Sequence, residues 1–175
     1  MKRINPFLRF FNHLVSHTWQ VHKRFSASAL CNIEQAINAS ERTHLGEIRF
    51  VVESGLHPIE IIYKKTPKKR ALELFGRFNV WDTQHNTGVL IYLLLADRDV
   101  EIVADRGIHQ QVGNVEWERI CHLMELKFKA SEFESGVLIG IAEISQHLQK
   151  HFNSSTDDQS KSKNSNEIPN YPIVL

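Results

Sequence analysis

Long apolar runs are what this 175-residue chain most plainly lacks. No stretch approaches the roughly eighteen residues that a membrane span needs. A secretory signal is excluded for a related reason, because Arg9, Asn12 and His13 interrupt the apolar stretch near the N-terminus. A cytoplasmic location is the expectation. Cysteine is scarce: Cys31 and Cys121 are the only two, far apart in sequence. They make neither a disulfide framework nor a metal-ligand spacing, and both are expected as small core residues. A large charge of either sign is also missing. The net charge of +1 argues against a dedicated nucleic-acid binder. There are no internal repeats. What remains is a chain long enough for one domain with a proper core and too short for two.

The charge that is present is unevenly placed. Met1–Phe25 holds Lys2, Arg3, Arg9, Lys23 and Arg24 and no acid, whereas Ser26–His151 comes to about −3. In the basic stretch, Ile4, Phe7, Leu8, Phe11, Leu14 and Val15 recur at helical spacing, which predicts an amphipathic helix over 4–17 within a basic segment 1–25. Either it packs on the domain, or it lies against a membrane surface or a partner. His13 and His17 are four residues apart but have no acidic or thiol neighbour to complete a metal site, so solvated histidines are the plainer reading. At the other end, 153–170 is too polar to offset the entropy of ordering, and 152–175 is expected to be a disordered tail. The apolar Tyr171–Leu175 after it could dock at a place the sequence does not specify.

The intervening 26–151 is organised around Thr87–Ile108. Gly88–Ala96 is nearly continuous apolar sequence, which suits a strand covered on both faces. Asp97, Arg98 and Asp99 supply turn-forming side chains. From Val100 the pattern alternates, as a hairpin partner should. Ahead of the hairpin, a serine at 26 or 28 caps a helix to about Arg42, and a strand covers Glu47–Glu53. Residues 54–66 read as irregular, with room for a helical turn at 59–63, before a helix over 68–78. Lys64, Lys65, Lys68, Lys69 and Arg70 crowd the start of that helix against its dipole. A solvated face explains them, and so does an anionic neighbour. After the hairpin, Asn114 caps a helix to about Phe128, and Ser131-x-x-Glu134 offers a capping box for a last helix over 132–151.

These residues carry a resemblance. HNTGVLIYLLLADRDVEIVADRGI is similar to the signature hairpin of the TPM domain family, the group that contains the thylakoid-lumen acid-phosphatase-like proteins. GEIRFVVES, ALELFGRFNVWD and FKASEFESGVLIGI agree in the same order, so the resemblance spans about Ser26 to His151. It implies an α/β fold, a three-layer α/β/α sandwich with a small mixed β-sheet, and brings acid-phosphatase activity into view. The chain departs from the many members that have a signal peptide and a transmembrane anchor.

The element order sorts polar residues onto two rims of that sheet. At one, Glu47 and Asp105 are expected at adjacent strand ends, with Asp82, His85 and Asn86 on the preceding loop. Glu47, Asp82 and Asp105 are candidate ligands for a hard divalent ion such as Ca²⁺ or Mg²⁺. Arg106, beside Gly107, offers a phosphate-binding fork, and His85 an acid or base. The plain alternative is that these charges cap strand ends and pair with one another. The other rim holds Glu53, Asp97, Arg98 and Asp99. An apolar strand followed by Asp-Arg-Asp superficially matches haloacid-dehalogenase-like phosphatases. However, the later acidic pair that chemistry needs is found only at Asp157 and Asp158 in the polar tail, and the chain continues directly into a strand. No Cys-x5-Arg, P-loop or GxSxG is present.

Two functions follow as expectations. One is a TPM-like binding or accessory module, able to use a divalent cation, that works with a membrane-associated protein partner and contacts the inner face of the membrane through residues 1–25. The other is a weak metal-assisted acid phosphatase, which requires Glu47, Asp82, His85, Asp105 and Arg106 to converge on one open pocket.

Overall fold

Two apolar clusters, one on each face of a four-stranded sheet, account for the architecture. The computed structural model describes residues 6–14, 16, 18–153 and 167–175. Strand β1 (Glu47–Glu53) lies parallel to β2 (Gly88–Leu94), and β2 runs antiparallel to β3 (Asp99–Ala104). A short β4 (Ile173–Val174) pairs in parallel with the free side of β1, giving the order β3-β2-β1-β4. Val89, Ile91 and Leu93 enter one core while Leu90, Tyr92 and Leu94 enter the other. A strand buried on both faces has no polar side to alternate with, hence its unbroken apolar run.

The larger cluster gathers α2 (Thr18–Arg24), α3 (Ala27–Glu41), α6 (Arg106–Val112), α7 (Asn114–Lys129) and α8 (Phe133–His151). The smaller gathers α1 (Pro6–Leu14), α4 (Pro58–Ile62) and α5 (Pro67–Arg77). The molecule is thus an α/β/α sandwich. Full burial of a side chain such as Ile48, Phe50 or Leu74 contributes roughly 1.5–3 kcal/mol. On α8, Gly136 and Gly140 let α7 approach closely: a Cβ there would come within 2.5 Å of Phe128 and Met124 respectively.

Several expectations are corrected. The single N-terminal helix is α1 followed by a separate α2, and Val21 and Phe25 are fully buried in the larger core. Thr18–Phe25 is therefore built into the domain. Lys2, Arg3, Ile4, Val15 and His17 lie outside the described residues. The capping box at Ser131 does not form. Ser131 has φ +64°, Glu132 is the N-cap of α8 without a side-chain capping bond, and Glu134 accepts instead from Asn32 Nδ2 at 2.8 Å. The disorder expected across 152–175 does not hold for Glu167–Leu175, where Ile168 is buried and Ile173 and Leu175 pack on the smaller core. Apolar burial and two backbone bonds to β1 and the residue after it, Leu175 N–H to Val52 at 2.9 Å and Ser54 N–H to Leu175 at 3.1 Å, hold that stretch. Asp157 and Asp158 fall outside the described residues.

Candidate functional site

The rim where β1 and β2 begin holds the sequence-predicted site residues. Glu47 pairs in register with Gly88 on one side of β2, and the Asp105 N–H bonds the Gly88 carbonyl from the other at 2.8 Å. The two acids were expected on adjacent strand ends, but β2 stands between them and sets them roughly two strand spacings apart, about 10 Å. Gly88 cannot carry a side chain, since a Cβ would lie 1.8 Å from the Val80 carbonyl oxygen.

Glu47 is buried beneath the C-terminal segment. Its Oε2 accepts from Ile168 N–H at 3.3 Å, and its Oε1 has no hydrogen-bond partner. Burial pushes its carboxyl up to about 7, against the backbone bonds of Ile168 and Glu167. Neighbouring Glu41, which accepts from Ile48 N–H at 2.8 Å, is pushed to about 8 by burial and then by the Glu47 charge. Arg49, next on the same face of β1, donates to the Pro169 carbonyl and stacks 4.7 Å from the Tyr171 ring. Asn170 donates to Asn38 Oδ1 at 2.7 Å. This end of β1 is a polar seat for residues 167–171, and it is closed.

Asp105 is the N-cap of α6, a helix the sequence pattern did not reveal. Its Oδ1 accepts from Arg106 N–H at 2.7 Å, and its Oδ2 is buried without a partner. Arg106 is exposed on the first turn. The loop His85–Asn86 packs against the same turn: a Cβ on Gly107 would meet the Asn86 carbonyl oxygen at 2.6 Å and that of His85 at 2.9 Å. The fold therefore brings the His85 backbone, Asp105 and Arg106 into one neighbourhood. It leaves Glu47 across β2 and Asp82 exposed on the turn after α5. Among the described residues no three His, Cys, Asp or Glu side chains are grouped to hold a metal ion. A hard cation takes six or more oxygens, so Glu47, Asp82 and Asp105 do not fit as a shared Ca²⁺ or Mg²⁺ site, despite the two unpartnered oxygens.

The opposite rim, by contrast, is open. A cleft of about 500 Å³ lies between α1, the end of β1 and the start of α4 and α5, with His13, Leu14, Glu53, Leu56, Pro58 and Arg70 among its walls. None of the five predicted residues lines it. Arg70 clasps Glu53 through two of its three guanidinium nitrogens, Nε to Oε2 at 3.0 Å and Nη2 to Oε1 at 2.7 Å. Tyr92, the one polar tip in β2, donates to Glu53 Oε2 at 2.6 Å. Burial, and then the Glu53 charge, drives that phenol well above its ordinary range. Lys65 bridges Glu60 and Glu73 at 2.7 and 2.6 Å. Beside them, Arg9 and His13 of α1 both reach Asp97 in the β2–β3 turn, at 2.9 and 3.0 Å. Leu56 N–H donates to His13 Nδ1 at 2.9 Å, so Nε2 carries the proton toward Asp97. Burial pushes the Asp97 carboxyl up, but the His13 and Arg9 bonds outweigh it and hold the group low. Sequence reasoning missed Arg9, His13, Glu60, Arg70 and Tyr92 as a network. One signal was available, because a hydroxyl inside a buried strand must find an acceptor.

The TPM domain family profile matches residues 22–147. The chain belongs to the TPM domain family. Among solved structures, the TPM domain is similar to the BA42 protein of the psychrophilic bacterium Bizionia argentinensis, with a TM-score of 0.72 and 27% identity over 86% of this chain and 95% of that one. It also resembles the N-terminal domain of a protein from P. gingivalis, with a TM-score of 0.52 and 18% identity over 87% of this chain and 98% of that one, a likeness of fold alone. No curated protein matches significantly. Among the described residues of this TPM domain, no helix is long and apolar enough to cross a membrane.

Proposed function

We propose that this TPM domain is a binding module that acts by surface contact with a membrane-associated protein partner and does not hydrolyse phosphomonoesters. One observation carries the reading. Among the described residues the carboxylates a metal-assisted hydrolase would need, Glu47, Asp82 and Asp105, are not grouped, while the charges around the open cleft are locked in mutual pairs. Hydrolysis calls for a nucleophile and a base within hydrogen-bond reach of one substrate atom. Glu53 and Asp97 are each already engaged by two donor side chains. Apolar side chains exposed on α1 and α4 beside the cleft supply a contact surface instead. A divalent cation has no part in this reading, because its proposed ligands do not assemble.

The test is p-nitrophenyl phosphate hydrolysis by the purified chain with Ca²⁺ or Mg²⁺, beside His85→Ala and Arg106→Ala. We expect background rates throughout and no difference among the three proteins. Turnover that drops tenfold or more in either variant would restore the phosphatase alternative.

A further inference from the structure

The contact surface has a composition that selects a class of partner. On α4, Ile59 and Ile62, with Tyr63 at the C-cap, follow i, i+3, i+4 spacing and are 55%, 67% and 82% exposed, while Ile61 turns into the core. Helix α1 packs against α4 and adds Phe11 and Leu14, one turn apart and about half exposed. Leu14 and Pro58 both line the cleft, where the two helices meet. Lys64 directly follows Tyr63, and Lys69 stands on the first turn of α5, both exposed. The neighbouring carboxylates are taken: Glu60 and Glu73 by Lys65, Glu53 by Arg70, and Asp97 by Arg9 and His13. Lys68 faces Glu101 on β3. Four carboxylates, Glu53, Glu60, Glu73 and Asp97, stand against five cations, Arg9, Lys64, Lys65, Lys69 and Arg70, which leaves a single net positive charge beside the apolar side chains.

Protein–protein interfaces are poor in lysine, whereas aliphatic and aromatic side chains rimmed by lysine are the chemistry of an interfacial helix. Lysine stems extend along the apolar boundary while their ammonium groups reach anionic headgroups. We propose that this face of α1 and α4 docks on an anionic bilayer, with Leu14, Ile59, Ile62 and Tyr63 entering the acyl boundary and Lys64 and Lys69 meeting the headgroups. The inference rests on the contact reading above: docking on the bilayer through this face holds the module beside its membrane-associated partner.

The experiment is co-sedimentation of the full chain with phosphatidylcholine vesicles containing about 30% phosphatidylserine, and with phosphatidylcholine vesicles alone. Binding to the anionic vesicles that weakens at high salt is expected. Each lysine near the surface is worth roughly fivefold, so Lys64→Glu with Lys69→Glu should lower partitioning about tenfold or more. Ile62→Asp with Tyr63→Ser should abolish it. All four side chains are exposed, and far-UV circular dichroism confirms that the variants fold. Absence of binding by the folded chain, equal binding to the neutral vesicles, or binding that both variants retain overturns the proposal. So does a solution dimer that Ile62→Asp dissociates, which would assign the face to a second copy of this chain. None of these results bears on the hydrolysis assay. Conversely, phosphomonoester turnover would overturn the contact reading while leaving vesicle binding in place.

Discussion

The two ends of the central sheet spend their polar residues differently. Where β1 and β2 begin, Glu47 Oε1, Arg49 Nε, Asp105 Oδ2 and Asn170 Oδ1 are all buried without a hydrogen-bond partner among the described residues. At the opposite end, Glu53, Arg70, Tyr92, Asp97, Arg9 and His13 form pairs, and among the described residues there no side-chain atom is orphaned in this way. An unpartnered buried polar atom costs about 1–3 kcal/mol. The difference teaches that polar richness alone does not mark a working site. One end is a seat for the C-terminal segment that is satisfied incompletely, and the other is a closed lock that fastens α1 and α5 to the strand ends.

The comparison breaks most visibly at Arg70. Arg70→Met leaves the Glu53 carboxylate and the Tyr92 hydroxyl in a largely buried place, and should cost about 3 kcal/mol in urea denaturation. Adding Glu53→Gln should recover part of that loss. A cost below about 1 kcal/mol would mean that the lock is a surface pair after all.

A smaller effect should appear with pH at the seat. Glu41 and Glu47 are raised to about 8 and about 7, above the ordinary carboxyl value they regain on unfolding. Their contribution is therefore fully present below the unfolded pKa, and is lost as pH rises through 7 and 8. Between pH 7 and 9 the protein should lose roughly 2 kcal/mol by this route. Asp99, raised to about 7 by burial and then by the Glu101 charge, adds to the same trend. His44, held down to about 4 by burial, opposes it only below its ordinary value of 6.5. The decisive readout is the difference from a Glu41→Gln, Glu47→Gln protein, whose slope over pH 6–9 should be visibly flatter. Identical slopes would remove the two acids as its cause.

The smallest effects belong to the exposed first-rim residues. Asp82→Ala and Arg106→Ala should each change stability by no more than about 0.5 kcal/mol. Titration calorimetry should show no micromolar Ca²⁺ binding that either substitution removes. A saturable heat lost in Asp82→Ala would show that the loop assembles a site this geometry does not contain.

How far the chain was legible varies by element. Strand β1 occupies the predicted span Glu47–Glu53, and Ser26 caps α3 as expected through a bond from Ala29 N–H at 3.1 Å. Both signals are local, an alternation and an N-cap. Helix α6 was hidden because it is seven residues long and buries only Ile108 fully. Strand β4 was hidden because two residues after a polar tract carry no periodicity. The candidate site was misjudged for a different reason. Glu47 and Asp105 looked like neighbours because both lie at strand ends, and only the strand order puts β2 between them.

From the residues alone, strands β1, β2 and β3, helices α3, α5, α7 and α8, and the burial of β2 on both faces were legible. Those properties follow from backbone preference and hydrophobic periodicity, which act over a few residues. Tertiary structure alone decided which charges meet. Glu53 and Arg70 are seventeen positions apart, and Arg9 and Asp97 eighty-eight. Their pairing depends on where α5 and α1 come to rest on the sheet, and electrostatic attraction between side chains leaves no period in the sequence that joins them.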